Sequence, residues 1–264
     1  MELAGKAALI TGGGTGVGRA TALRLARLGC SVCVNYCRSQ EEAEQTAHDA
    51  QQLGVQAVAV RADVAADAAC RTLVKTAVEK LGRLDVLVNN AGTTRFIPFR
   101  DLDRVTDDDW NHILGVNLKG PFQCARAARE PIEAAGGGEI VNVASVAGIL
   151  ATGSSIPYAA SKAALINMTV ALARVLAPSI RVNAVAPGFI TGRWLEQGLA
   201  ENYEEVKRSF ERAAPLGRVC TPDDVAAAIV SLIAGSDLVT GDTLICDGGL
   251  RIADYAARAG FGRS

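Results

Sequence analysis

Short aliphatic runs alternate with longer stretches in which apolar residues recur every three or four positions, and the alternation continues along almost the whole chain. Runs of the first kind read as buried strands, and those of the second as amphipathic helices laid over them, which is the pattern of βαβ units around a parallel sheet. The expected strands are AALI (7–10), SVCVNY (31–36), VQAVAV (55–60), DVLVN (85–89), EIVNV (139–143), RVNAV (181–185) and TLIC (243–246). They predict an α/β fold with one doubly wound, mostly parallel seven-stranded sheet and helices on both faces. Helix starts are also legible. Ser39 with Glu42 makes a capping box, and Thr221 precedes Pro222, Asp223 and Asp224 as an N-cap with proline at the first helical position. Gly136, Gly137 and Gly138 suit a turn before a strand. One stretch breaks the rhythm: residues 188–215 place aromatics among charges between a strand and the next helix, and a long insertion at a strand end predicts a lid.

With 264 residues, 49% hydrophobic and 21% charged, the chain is expected to form a single domain over 1–264 with a large buried core. Its 27 Lys and Arg against 28 Asp and Glu give a net charge of -1, so no basic field draws it to nucleic acid or anionic membrane. Small molecules and further copies of the chain are the expected partners. The start MELAGKAALITGGG lacks a secretory signal pattern, and no apolar run is expected to span a membrane, which points to a cytoplasmic location. Seven scattered cysteines read as reduced thiols, and the C-x-x-C of Cys30 and Cys33 falls on a strand, as ordinary strand thiols would. The two histidines, His48 and His112, have no His or Cys companions, so no catalytic metal is expected.

The first strand runs into Thr11-Gly12-Gly13-Gly14-Thr15-Gly16-Val17-Gly18 and then a helix. Glycines allow a tight turn and close backbone approach, while a helix N-terminus directs N–H groups and partial positive charge at a pyrophosphate. Gly12, Gly14, Thr15, Gly16, Val17 and Gly18 are therefore candidate dinucleotide-binding residues. At the end of the second strand, where a carboxylate would hold an adenosine ribose diol, the chain reads Asn35-Tyr36-Cys37-Arg38-Ser39. Arg38 and Ser39 suit a 2′-phosphate, which favours NADP(H) over NAD(H); a solvated surface arginine is the alternative. Downstream, Tyr158 and Lys162 stand four residues apart, one turn of a helix, so phenol and ammonium share a face. A nearby ammonium favours phenolate, which predicts a lowered tyrosine pKa.

With Tyr158-x-x-x-Lys162 downstream of TGGGTGVG, and Asn89-Asn90-Ala91-Gly92 between them, the sequence resembles the short-chain dehydrogenase/reductase family over about residues 6–249. Three residues between Gly12 and Gly16 match its compact branch. The resemblance implies a Rossmann fold and a catalytic set of Asn117 in GVNLKG, Ser145 in NVASVAG, Tyr158 and Lys162. It implies that Tyr158 protonates a carbonyl oxygen as hydride arrives from a nicotinamide, while Ser145 hydrogen-bonds the same oxygen. Lys162 would bind the nicotinamide ribose, and Asn117 a water leading from Lys162 to solvent. By the same likeness, Asp63 and Val64 border the adenine, Asn90, Ala91 and Gly92 the adenosine-side ribose, and Pro187, Gly188, Ile190 and Thr191 the nicotinamide carboxamide. It also implies a homotetramer formed through helices at about 107–128 and 156–176, and a C-terminal tail of about 250–264 reaching a neighbouring subunit.

Substrate selection is expected in TTRFIPF after Gly92, in 147–157 and in the 188–215 lid, with Arg95, Phe96, Phe189 and Trp194 as candidate lining and Arg95 and Arg193 as partners for an acidic group. NYCRS, NNAGTTR, APGFI and PLGR are similar to 3-oxoacyl-[acyl-carrier-protein] reductases. Carrier-protein docking calls for basic residues, yet Glu130 and Glu133 occupy the segment leading to Glu139 at the start of the fifth strand, so a general carbonyl, polyol or sugar dehydrogenase stays open. A non-catalytic NADP(H)-binding scaffold or redox sensor is the alternative of another class.

Overall fold

Every aliphatic run identified in the sequence becomes a strand in the computed structural model, which describes residues 1–253. β1 (Ala7–Ile10) leads to α1 (Gly16–Arg27), β2 (Ser31–Tyr36) to α2 (Gln40–Gln52), and β3 (Ala57–Arg61) to α3 (Asp67–Leu81). After β4 (Val86–Asn89) come α4 (Asp107–Leu114), a π turn (Gly115–Lys119) and α5 (Gly120–Ala134), one continuous helical run. Next are β5 (Gly138–Val143), the short α6 (Ala147–Leu150), α7 (Ile156–Leu176) and β6 (Ile180–Pro187). The insertion forms α8 (Arg193–Leu199) and α9 (Tyr203–Ala213), and α10 (Pro222–Ala234) leads to β7 (Thr243–Cys246).

Strand order is β3-β2-β1-β4-β5-β6-β7, and every pairing is parallel, so the expected mostly parallel sheet is parallel throughout. Successive side chains point to opposite faces, which splits β1 between two cores. Ala8 and Ile10 join Leu25 of α1, Ala47 of α2 and Ile229 of α10; Ala7 and Leu9 join Leu73 of α3, Ile132 of α5 and Leu176 of α7. The chain winds outward in both directions from β1 and β4, and the crevice at their carboxyl ends is the place where such sheets bind ligands.

Local signals held where the backbone allowed them. The Thr221 box forms: its hydroxyl accepts the Asp224 N–H at 3.2 Å, and the Asp224 carboxylate accepts the Thr221 N–H at 2.8 Å. The Ser39 box does not, because Ser39 at ψ 67 is not extended and makes no side-chain cap bond. Glu42 is turned instead to Arg193 in α8, 2.8 Å away. Contrary to expectation, α7 has the length and composition of a membrane span, with mean hydropathy 1.3 over 18 of its 21 residues. It lies on the sheet and buries Leu165, Thr169, Ala173 and Leu176. Cys33 lies on β2 and Cys30 just before it, a correction to the expectation that both fall on the strand; both are fully buried, and burial pushes both thiols up to about 12, as suits inert residues.

At the opposite edge from the crevice, Asp85 is fully buried. Its carboxylate accepts the Ala7 N–H at 3.0 Å and two hydrogen bonds from Arg83 at 2.8 and 2.7 Å, with Lys6 Nζ at 3.1 Å.

Candidate active site

The crevice is built from the strand tips. Thr11 Oγ1 accepts the N–H groups of Asn90 and Ala91, both at 3.0 Å, and Asn90 Nδ2 donates to the carbonyls of Thr11 and Gly12 at 2.9 and 3.0 Å. Buried Asn35 fastens the other side: its Oδ1 accepts the Gly12 N–H at 3.2 Å and its Nδ2 donates to Ala62 O at 3.0 Å. Gly12 needs its φ of +61°, and a Cβ on Gly18 would lie 2.3 Å from Gly12 O. Gly14 packs on Ala43 of α2, Val17 packs partly against the core, and Gly16 faces open space. Thr15 makes no side-chain cap bond and no acidic residue stands in the first turn of α1, so the helix itself supplies no carboxylate to its positive end. These backbone groups open on a cleft of about 450 Å³ lined by Gly14, Thr15, Gly16, Arg19, Glu41, Glu42 and Gln45. A glycine cradle around a free helix N-terminus fits a dinucleotide pyrophosphate.

Beside it, Arg38 is exposed and enters no ion pair among the described residues, and the Ser39 hydroxyl makes no cap bond. Asp63 is exposed and its carboxylate accepts the Ala65 N–H at 3.0 Å, a turn contact. Val64 is buried against Gly120, and its carbonyl accepts from Gln123 at 2.8 Å. Ala91 and Gly92 are half-buried beyond β4. Across the crevice, Pro187 is buried at the end of β6, Gly188 abuts Asp247 so closely that a Cβ would lie 2.9 Å from the Asp247 Cβ, and Ile190 and Thr191 pair with Cys220.

Tyr158, Lys162, Ser145 and Asn117 meet between these two walls. Ser155 caps α7 by accepting the Tyr158 N–H at 3.4 Å, with Pro157 in the first turn. Ser145 sits past β5, accepts the Ala147 N–H at 3.1 Å and places its hydroxyl beside the Tyr158 phenol. Burial raises the Tyr158 phenol above its ordinary value, and the Ser145 hydroxyl opposes that rise. This corrects the expectation of a lowered phenol. Lys162 Nζ lies 5.7 Å from the ring centroid and donates to Val143 O at 2.8 Å. Lys162 is 4% exposed, and burial pushes its ammonium down to about 8. Both groups are displaced toward their neutral forms by the same desolvation.

Asn117 is fully buried in the π turn, a local distortion that often marks a functional site. Its Oδ1 accepts the Thr93 N–H at 2.8 Å, and its Nδ2 donates to Thr93 O at 2.9 Å and Ser161 Oγ at 3.1 Å. Among the described residues no group of three or more His, Cys, Asp or Glu side chains is placed to hold a metal ion.

The profile of the family described as enoyl-(acyl carrier protein) reductase matches residues 12–251. A crystal structure assigned as a short-chain dehydrogenase/reductase from Burkholderia xenovorans superposes with a TM-score of 0.87 at 36% identity, covering 94% of this chain and 98% of that one. The chain belongs to the short-chain dehydrogenase/reductase family. It is 43% identical over 245 residues to a protein assigned as ketoacyl reductase 2 of the granaticin polyketide synthase from Streptomyces violaceoruber, covering 93% of this chain and 96% of that one. It is 37% identical over 247 residues to a 3-oxoacyl-[acyl-carrier-protein] reductase of Staphylococcus aureus, covering 93% and 98%. The protein is thus an oxidoreductase of the carbonyl and alcohol chemistry its relatives are named for.

In this short-chain reductase the segment expected to form a lid folds as the pair α8 and α9. Trp194 reaches over Gly92, its Cη2 3.6 Å from where a Cβ would stand, and the Phe96 ring lies on Gly198. Phe189, expected among pocket residues, is buried at 7% exposure and packs on Tyr203 and Phe210 with centroids 5.9 and 5.1 Å away. It anchors α9 from below. Arg95 and Arg193 already have acidic partners in the chain, Asp109 at 3.6 Å and Glu42 at 2.8 Å. Thr11 and Asn35 carry one local signal in the sequence, a polar residue at a strand's carboxyl end, while Thr93 in the loop past β4 carries none.

Proposed function

We propose that this oxidoreductase reduces the 3-oxo group of an acyl thioester with NADPH. The convergence of the Ser145 and Tyr158 hydroxyls beside buried Lys162 carries the reading, together with the relatives named for ketoacyl and 3-oxoacyl reduction. A nicotinamide dinucleotide bound in the crevice supplies the hydride. Gly12 to Gly18 hold its pyrophosphate against the N-terminus of α1, and Arg38 and Ser39 receive its 2′-phosphate. Tyr158 donates a proton to the developing alkoxide, and Ser145 donates a hydrogen bond to the same oxygen. Lys162 holds the nicotinamide ribose, and Asn117 holds a water that connects Lys162 to solvent.

The decisive assay follows NADPH oxidation with acetoacetyl and crotonyl thioesters side by side. Turnover of the keto thioester alone supports the proposal; turnover of the crotonyl thioester alone makes it an enoyl reductase. Cofactor binding without turnover on any carbonyl or alcohol favours the scaffold reading. One observation favours a general carbonyl, polyol or sugar dehydrogenase as the second reading: Arg126 and Arg129, the basic residues of α5 that could meet an acidic carrier, are already paired with Asp67 and Glu130.

Cofactor choice has its own test. Arg38→Asp is expected to raise the KM for NADPH by about tenfold to a hundredfold, the worth of a charge-assisted phosphate contact. The KM for NADH should change little, and equal loss with both cofactors would remove Arg38 from phosphate recognition. We further propose a cytoplasmic homotetramer joined through α5 and α7, supported by Phe122 and Val175 standing 41% and 73% exposed on those helices. Sedimentation velocity reads the assembly. The tail expected to reach a neighbouring subunit lies mostly outside the described residues.

A further inference from the structure

We infer that His112 is a positioning residue for the substrate-facing loop, acting through Thr93. The inference rests on the reading above that the space beside Tyr158 receives a substrate. His112 lies in the last turn of α4, half-buried, and its Nε2 is 3.0 Å from Thr93 Oγ1. The main chain of Thr93 is gripped on both sides by Asn117, through the two bonds already described. Asn117 continues to Ser161, whose hydroxyl donates to Tyr158 O at 2.7 Å. Thr93 is therefore the point where the loop after β4 joins the helix that carries the phenol.

The far end of the loop is tied as well. Thr94 Oγ1 and Ser154 Oγ are 2.5 Å apart, and the Ile97 N–H donates to Ser154 O at 2.8 Å. Arg95 and Phe96 are suspended between the two fasteners, with Phe96 against α8 at Gly198. A loop held at both ends presents its intervening side chains in one place, which lowers the ordering cost of binding. The second tie from α4 is weaker: Arg95 and Asp109 stand 3.6 Å apart with Arg95 62% exposed, and exposed pairs contribute little. His112 carries the larger share because its bond is shielded and its partner is β-branched, so fixing the hydroxyl fixes the rotamer. A threonine hydroxyl both donates and accepts, so the link is available to either imidazole tautomer.

The test compares His112→Ala with His112→Gln, whose amide reaches the same position as Nε2, and Thr93→Val with Thr93→Ser. Acetoacetyl thioester is the probe under saturating NADPH. The Ala and Val variants are expected to raise the thioester KM about tenfold while kcat falls less than about threefold, the split of lost ground-state positioning. Gln and Ser should restore most of the KM. The double variant His112→Ala/Thr93→Val should be no worse than either single change, because both remove one bond. Imidazole nitrogen NMR gives a readout that needs no turnover: of two histidines, exposed His48 serves as the reference, and Thr93→Val should move only the His112 signal. An unmoved His112 signal, an unchanged KM, equal damage from Ala and Gln, or additive losses would each overturn the inference. A wild-type protein inert to the thioester refutes the substrate reading instead, and the NMR comparison still decides the link.

Discussion

Tyr158→Phe is expected to lower kcat/KM for carbonyl reduction by about a thousandfold, within the range general acids contribute. The ring stays, so packing of α7 and the cofactor crevice are preserved; only the phenol hydroxyl beside Ser145 is lost. Cofactor affinity, read by the quenching of protein fluorescence or by calorimetry, should remain within about twofold, since neither the glycine loop nor Lys162 is touched. The pH profile separates the two titrating groups. Burial holds the phenol above its ordinary value and the ammonium near 8, so the alkaline limb of kcat/KM in the wild-type protein should fall near pH 8 and report Lys162. Removing the amine with Lys162→Met should abolish that limb along with most activity. A Phe variant retaining more than a tenth of wild-type kcat/KM would mean that another group delivers the proton.

The second large effect is on stability. Asp85→Asn is expected to reduce unfolding free energy by about 3 kcal/mol, the low end for breaking a buried ion pair, because Lys6 and Arg83 are partly exposed and can turn to water. For a domain of this size that corresponds to a melting temperature lower by roughly 6–12 °C. Burial alone would raise the Asp85 carboxyl, but the bonds from Arg83, the Ala7 N–H and Lys6 outweigh it and hold it below 3.8. A depressed folded pKa means that the stabilisation is fully present above the unfolded value and disappears as pH falls through the folded one. The melting curves of wild type and variant should therefore differ at neutral pH and converge below pH 3.8. A constant offset down to pH 2 would assign the loss to packing.

The strands were legible because their cause is local: a side-chain period of two, β-branched content and bounding glycines act within a few residues. Only the ends moved, with β3 starting at Ala57 and β6 running on to Pro187. Tyr158 and Lys162 were legible for the same reason, since one helical turn brings them onto one face whatever surrounds them. The glycine loop was legible because Gly12 and Gly18 answer steric demands of a turn and a close helix approach.

Partnerships across the chain were not. Glu42 reads locally as the acid of a capping box with Ser39, yet its partner is Arg193, 151 residues away, which only the folding of α8 toward α2 brings near. Phe189 reads as a pocket residue until α9 covers it, and His112 reads as an isolated imidazole until the loop after β4 sets Thr93 against it. The direction of the Tyr158 shift turned on the same thing: spacing places the ammonium nearby, but burial and the pull of Val143 O on Lys162 depend on β5 lying beneath the helix. By itself, then, the sequence determined the strands, the glycine turn and the Tyr158–Lys162 face, because steric period and backbone geometry act between neighbours. The tertiary structure alone decided which polar groups are desolvated and which partners satisfy them, because burial and hydrogen bonding depend on what the strand order brings together in space.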